Sequence, residues 1–261
     1  MANEIILTNE LKRCPFCDEE IRVKALICKH CRQWMPGYSW EGASRDFLIQ
    51  AESSHRSLAT KDEDRQSRDG QLRLVINWAS SSRKDSFRGF DLSAQDLQNL
   101  DLSQADLSET DLREANLSGA NLSKANLTKA NLFRANLRGA NLQQAKLVDA
   151  YVRETVLEEA NLSGGILQRA NMYGAYMQRA VLYRVDLEQA NLKTADLRGV
   201  NLRESYLKEV NFEWAKMEEA VLTGALLAGA NLTGTGLTPQ QYGRARSLEG
   251  TILPDGQVHK E

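Results

Sequence analysis

All four cysteines of the chain fall within one short stretch, "CPFCDEEIRVKALICKHC", spaced Cys14-x2-Cys17-x10-Cys28-x2-Cys31. Each CxxC can place two thiolates on one knuckle, and two knuckles complete a tetrahedral four-sulfur site. Such a site suits Zn2+, and iron is the chemical alternative because the same geometry accepts it. Four protein ligands leave no open position for a substrate. The chemistry is therefore structural: the ion supplies folding energy that a module of this size cannot obtain from a core. His30 sits inside the second knuckle, where four thiols already suffice, and reads as a bystander. Between the knuckles, Ile21, Val23 and the run Ala25, Leu26, Ile27 can form a small hairpin over the site.

The layout CP.C...I......C..C resembles the short zinc-ribbon modules found beside many unrelated bacterial domains, and residues 10–36 are assigned to one. The segment 37–86 that follows is polar and charge-mixed, with "KDEDRQSRD" in its middle. It reads as a linker with a helical segment and an N-terminal cap. Within it, "SRDFLIQAESSHRSL" fits an amphipathic helix with Phe47, Leu48, Ala51 and Leu58 on one side, and His55 is solvated. "QLRLVINWASS" fits either a strand, with Leu72, Leu74, Ile76 and Trp78 alternating, or a helix. In both cases it is expected to dock on the start of the region that follows.

That region is governed by a period of five. From residue 92 to residue 237, every fifth residue is apolar across 30 positions, nearly always Leu, and Ala stands two before it in 19 of them. Five matches neither the 3.6 of a helix nor the 2 of a plain strand; it implies a chain that turns a corner once per repeat. Residues two apart in an extended segment point to one side, so the Leu and the small residue face inward together. Four sides close a coil of about 20 residues, and coils stack at about 4.8 Å. Thirty repeats then make about 7–8 coils. No Pro occurs in this span, as expected where backbone N–H groups serve ladders between coils.

The phrases "ANLSG", "ADLSE" and "ADLRG" resemble the A(D/N)LXX motif of pentapeptide-repeat proteins. The resemblance implies an all-β solenoid, a right-handed quadrilateral β-helix, over residues 87–237. Solenoid ends need caps. Phe87, Phe90, Gln95 and Leu100 bring bulk to the first inward positions, and residues 238–261 are assigned to a C-terminal cap and tail. Thr238 as N-cap and Pro239 at the first helical position predict a short helix to about Arg246, with Leu248, Ile252 and Leu253 over the last coil.

The function classes narrow from charge and from residue types. Lys plus Arg number 33 and Asp plus Glu 35, and the repeat region carries about −4. Bulk electrostatics therefore nominates neither nucleic acid nor an anionic membrane. The N-terminal "MANEIILTNELKR" lacks the apolar core of a signal peptide, and the expected compartment is the cytoplasm. The repeat region contains no His and no Cys, removing the commonest acid–base and nucleophilic side chains. A non-enzymatic protein-interaction scaffold is the first reading, with the zinc module as a second contact.

The alternative is a nucleic-acid-linked role. It has two forms: contact through Lys12, Arg13, Arg22, Lys24, Lys29 and Arg32, or mimicry of DNA. The latter rests on resemblance to quinolone-resistance pentapeptide proteins that bind gyrase as acidic rods. Asp91, Asp96, Asp101, Asp106 and Asp111 cluster early, but Asp before Leu is also ordinary repeat grammar, and the weak net charge departs from that pattern.

Partner residues are sought where the outward letters change. Before Leu the chain upstream places Asn or Asp; at 146, 151 and 156 it places Lys146, Tyr151 and Val156. Positions 20 apart share a face, giving one ladder Arg113, Phe133, Arg153, Tyr173, Lys193. A second runs Lys146, Ile166, Asp186, Tyr206, Leu226, and Val156 and Tyr176 share a third. Asn would stack as a polar ladder, whereas aromatic and aliphatic residues expose apolar surface. Two outcomes are open: the rungs cover one another through cation–π stacking, or Phe133, Tyr151, Arg153 and Tyr173 form a partner surface. The partner is then a foreign protein or a second copy of the chain.

Overall fold

In the computed structural model the described residues are 11–13, 20–22, 67–79 and 86–260. Two units partition the chain, residues 1–60 and 61–261. In the first, β1 (Leu11–Arg13) pairs antiparallel with β2 (Glu20–Arg22), Leu11 opposite Arg22 and Arg13 opposite Glu20. β1 precedes Cys14 and β2, which contains Ile21, falls between Cys17 and Cys28 in the sequence, while Val23 and Ala25, Leu26 and Ile27 of the expected hairpin lie outside the described residues. The expected amphipathic helix at 44–58 and all four cysteines lie outside the described residues.

The second unit begins with α1 (Arg68–Ala79). Ser67 starts it: its hydroxyl oxygen accepts the Gly70 N–H at 3.0 Å, satisfying one of the donors a helix leaves free at its start. Of the two readings of "QLRLVINWASS", the helix is the one formed. Val75 and Trp78 are buried, Trp78 meets Phe87 edge-on at 5.4 Å, and Phe87 lies 5.6 Å from Phe90. The helix caps the first coil, as expected. It also satisfies the coil's open edge, because Gln71 Oε1 accepts the Asp91 N–H at 2.7 Å and Arg68 donates to the Ser93 carbonyl. Phe87 and Phe90 fill the end; Gln95 and Leu100 stay half-buried.

From Ser86 to Asn211 each outward residue before the central apolar one pairs in parallel with the residue 20 positions later: Asp91 with Asp111, Tyr151 with Asn171, Asn211 with Asn231. Three backbone bonds recur along the interior repeats. The Leu112 N–H donates up to Asn131 O at 2.7 Å, the Glu114 N–H up to Phe133 O at 2.9 Å, and the Asp111 N–H down to Phe90 O at 2.8 Å. A fourth closes the corner, as in Ala115 N–H to Leu112 O at 3.1 Å. The central apolar residues from Leu92 to Leu232 are at most 1% exposed, and every small position from Ala105 to Thr235 is buried. The inward pairing expected from the period of five is therefore present. Where a hydroxyl replaces Ala inside, it finds a backbone carbonyl: Thr110 to Leu107 O, Thr155 to Leu132 O and Ser205 to Leu182 O, each at 2.6 Å.

The corner has a feature that the sequence reading missed. The residue two after the central one has positive φ at all 30 steps from Gly89 to Gly234, and 21 of these are not Gly. Their φ values lie between 53° and 62°, the left-handed region that a type II turn requires at its second central residue. Such residues carry strain of order 1–3 kcal/mol unless the surroundings fix them. Here the three ladder bonds per repeat do so.

The C-terminal end departs from expectation. The helix α2 spans only Pro239–Tyr242 and is stitched to the last coil by Gln241 Nε2 donating to Ala220 O at 3.2 Å. It stops there because the chain resumes the ladder. Ser247 pairs with Leu226 and Ile252 with Asn231, and Leu227 and Leu232 donate to Ser247 O and Ile252 O at 3.0 and 2.8 Å. A helix extended to Arg246 would leave those donors without acceptors. Ile252 is then covered in turn by an antiparallel pairing with Val258.

Candidate interaction surface

Asn before Leu does two jobs. Its Oδ1 accepts the N–H two residues on, as in Ser118 to Asn116 at 3.2 Å and Gln143 to Asn141 at 3.2 Å. Its Nδ2 donates to the rung below: Asn116 to Asp96 at 3.1 Å, Asn121 to Asp101 at 2.8 Å, Asn126 to Asp106 at 3.0 Å, Asn141 to Asn121 at 3.2 Å. The ladder has a direction, down toward the N-terminal end. Its lowest members need only accept, and a carboxylate is acceptor-only. This accounts for Asp at 96, 101 and 106 and Asn above them without recourse to a partner. Asp106 is the most heavily used. Burial pushes its carboxyl up, but the Ser86 and Ser108 hydroxyls, the Ser108 N–H and the Asn126 amide outweigh that and hold it below the usual carboxylate range. Asp111 is likewise lowered, chiefly by its hydrogen bond from Arg113.

Most charges at the corners also pair one coil apart. Arg134 meets Glu154 at 2.8 Å, Arg169 meets Asp149 at 2.7 Å, Arg184 meets Glu204 at 2.7 Å and Lys193 meets Glu213 at 2.9 Å. Each is exposed and contributes about 0–1 kcal/mol. The basic residues that multiply above Arg113 are thus largely the partners of acidic ones. An open groove of about 400 Å3 crosses Ser163 and Gly164, between Gln143 and Tyr183; its only cations are Lys124 and Arg184, and it holds no carboxylate.

Asp186 and Asp196 keep the accepting bond, but at Lys146, Tyr151 and Val156 both jobs are lost, and at Tyr151 the aromatic ladder takes over. Phe133 and Tyr151 rings lie 6.3 Å apart. The Arg153 guanidinium lies 5.8 Å from the Tyr151 ring centre and 4.9 Å from that of Tyr173, and its Nη1 donates to the Tyr151 hydroxyl at 3.0 Å. Arg134 stacks on Phe133 at 4.8 Å. The four expected residues are therefore brought together, each half-buried and partly covered by the others. On the other ladders Ile166 and Val156 are also half-buried, while Tyr206 and Tyr176 are 54% and 46% exposed.

Among the described residues the most exposed ring is Trp214, at 59%, which the sequence reading does not single out. It lies across Gly234 one coil above, so close that a Cβ there would fall 2.3 Å from the ring. The signal was in the 20-residue spacing, which sets Trp214 directly beneath a glycine. Phe133, Arg134, Arg153, Tyr173 and Trp214 occupy the corner positions between two faces, with Tyr151 on one and Tyr176 on the other. They make an aromatic ridge.

Pentapeptide repeats are recognised in eight copies over 86–113, 96–132, 135–174, 155–193 and 205–238, more than half of the chain. The chain belongs to the pentapeptide-repeat family. Its fold is accordingly the right-handed β-helix, four-sided by the 20-residue pairing above. Among solved structures, this pentapeptide-repeat chain is similar to HetL of the cyanobacterium Nostoc sp. strain PCC 7120, a pentapeptide repeat protein involved in heterocyst differentiation regulation. Identity is 26%, over 71% of this chain and 98% of HetL, with a TM-score of 0.28. It is also similar to a pentapeptide repeat protein of the Arabidopsis thaliana thylakoid lumen, at 28% identity over 40% of this chain and 72% of that one, TM-score 0.29. With QnrB1, a plasmid-mediated fluoroquinolone resistance protein, the figures are 16%, 66%, 87% and 0.36. No curated protein matches the chain. Among the described residues no helix is long and apolar enough to cross a membrane, and no group of three or more His, Cys, Asp or Glu could hold a metal.

Proposed function

We propose that the solenoid is a non-enzymatic scaffold for a protein partner, presented by the ridge built on Phe133, Tyr151, Arg153 and Tyr173. The observation that carries this is local: the inward pair is kept at every step through residues 145–160 while the outward Asn is replaced by residues that abandon its two hydrogen bonds. Tyr, Trp and Arg are the side chains that dominate interface energetics, and they gather on one corner with Trp214 beside them. The carboxylates are spent on ladders, turns and ion pairs around a convex rod, which does not favour an acid–base centre. The early Asp ring is likewise used within the coil, so it lends no support to mimicry of a nucleic acid. Replacing both Tyr151 and Tyr173 with Asn gives position 151 the letter common before the central residue, removes the ring from the outward position 173, and should leave the circular dichroism unchanged. The variant is expected to lose a co-purifying protein or an oligomeric state; retention of both would refute the ridge as a partner surface.

For the N-terminal module the proposal is one structural Zn2+ held by Cys14, Cys17, Cys28 and Cys31. The β1–β2 pairing supports it, since the two strands pair on either side of the sequence that contains the first CxxC pair. Four thiolates suit a reducing, cytoplasmic setting. Elemental analysis of protein purified without chelator should give one zinc per chain. Absence of both zinc and iron would overturn the assignment, and Cys28→Ser should lose the metal without altering the melting of the solenoid.

A further inference from the structure

The ridge contains a cation with an incomplete set of partners. Of the five N–H donors on the Arg153 guanidinium, one bonds within 3.5 Å, to the Tyr151 hydroxyl at 3.0 Å. Its Nε is buried and meets no acceptor among the described residues. The nearest carboxylate is Glu154, whose Oε1 lies 4.0 Å from Arg153 Nη2 while its Oε2 takes Arg134 Nε at 2.8 Å. Glu154 is thus committed to Arg134. Asp111, two coils below Tyr151 on the same ladder, is held by Arg113 through contacts at 2.5 to 2.9 Å. Arg153 is flanked by the Tyr151 and Tyr173 rings, which orient it, and its side chain remains 36% exposed. Oriented, stacked and short of a carboxylate, it has the geometry of an Arg that accepts a bidentate oxyanion from outside. Aromatic rings on both sides would shield that bond from water and contribute apolar contact.

We infer that the ridge docks an acidic segment of a protein partner, an Asp or Glu flanked by apolar residues, with its carboxylate on Arg153 and its apolar neighbours against Tyr151, Tyr173 and Phe133. This rests on the scaffold reading above and names the chemistry of its partner. Arg153 is the residue that sets specificity; the rings supply area. A basic partner would instead place its own cations on the rings and gain nothing from Arg153, and a nucleic acid, although its phosphates suit an Arg, is disfavoured by the slightly acidic repeat region.

The test uses the full-length protein immobilised and panned against a phage-displayed random dodecapeptide library. Enriched sequences are expected to carry Asp or Glu next to aromatic or aliphatic residues. The best of them, synthesised as a free peptide and followed by fluorescence anisotropy, should bind about tenfold or more weakly when its Asp or Glu becomes Asn or Gln. Arg153→Gln should abolish that difference, so that the carboxylate and amide peptides bind alike, and Arg153→Lys should restore part of it. The melting temperature of each variant verifies its fold. Enrichment without acidic residues, no enrichment at all, or an acid preference that survives Arg153→Gln would each overturn the inference. The scaffold reading fails separately. If Tyr151→Asn with Tyr173→Asn strips a co-purifying protein while peptides show no dependence on the carboxylate, the surface stands and its assigned chemistry does not.

Discussion

Ala130→Leu set against substitutions of its neighbour Lys129 tests the architecture at its most demanding point. Ala130 is 0% exposed, and its N–H closes the corner on Leu127 O at 3.0 Å. The corresponding inward residues one coil below and above, Thr110 and Ala150, are 0% and 1% exposed, so three added carbons have nowhere to go. Overpacking of this kind costs about 1–3 kcal/mol or more. For a unit of this size that lowers the melting temperature by roughly 2–12 °C. Lys129 is exposed with φ +58°. Lys129→Ala keeps the same backbone burden and loses no ion pair, so it should stay within about 0.5 kcal/mol. Lys129→Gly removes a left-handed cost of about 1–2 kcal/mol against a flexibility cost of about 0.5–1 kcal/mol; it should be neutral to slightly stabilising. Thermal unfolding by circular dichroism reads all three. Because each coil contacts only its neighbours, hydrogen exchange across residues 110–150 should localise the Ala130→Leu effect. Equal shifts for Ala130→Leu and Lys129→Ala would refute the assignment of inside and outside on which everything else depends.

Glycines at the corner separate backbone strain from steric conflict. Gly139→Ala meets nothing within 4 Å and should cost only the small net penalty of Ala at positive φ, about 0–1.5 kcal/mol. Gly234→Ala must also displace the Trp214 ring, and should cost more and shift Trp fluorescence; the reverse order in melting would contradict the stacking of Trp214 on Gly234. Acid should act on the N-terminal coil. The folded pKa of Asp106 is depressed, so its stabilisation is complete above the ordinary carboxylate value of about 3.9 and fades as pH falls through the folded one. Ser86, Ser108 and Asn126 face it, with the Arg88–Glu109 ion pair alongside. Asp106→Asn should flatten the fall in melting temperature below about pH 4; identical acid profiles for variant and parent would argue against that role.

What could be read from the sequence divides along the direction of the side chains. Inward residues obey a strict rule because the axis admits only one Leu and one small residue per side, so composition alone locates the core from Leu92 to Leu232. The corner was not legible in the same way: Gly stands at nine of the 30 positive-φ positions, and Glu, Lys and Arg at many others hide a conformation that ladder bonds enforce. The tail misled for a related reason. Thr238 and Pro239 do begin a helix, but a local start signal carries no information about the open coil edge nearby, whose backbone donors draw Ser247 and Ile252 back into the ladder. The ridge falls between these cases. Tyr151 stands out by the broken rule at 146, 151 and 156, and Phe133, Arg153 and Tyr173 by the 20-residue ladder, but Arg134, Trp214 and the reason for the rule are visible only in space. Asn is favoured before Leu because its oxygen accepts the N–H two residues on and, at six of these positions, its amide also donates to the rung below, so replacing it can give up two bonds at once. At Tyr151 the return is a stacked Arg153 with one bond where it could make five. A purely structural repair would leave the cation satisfied; this one leaves it oriented and open at a position that the five-residue register turns outward, where a partner's carboxylate can reach it.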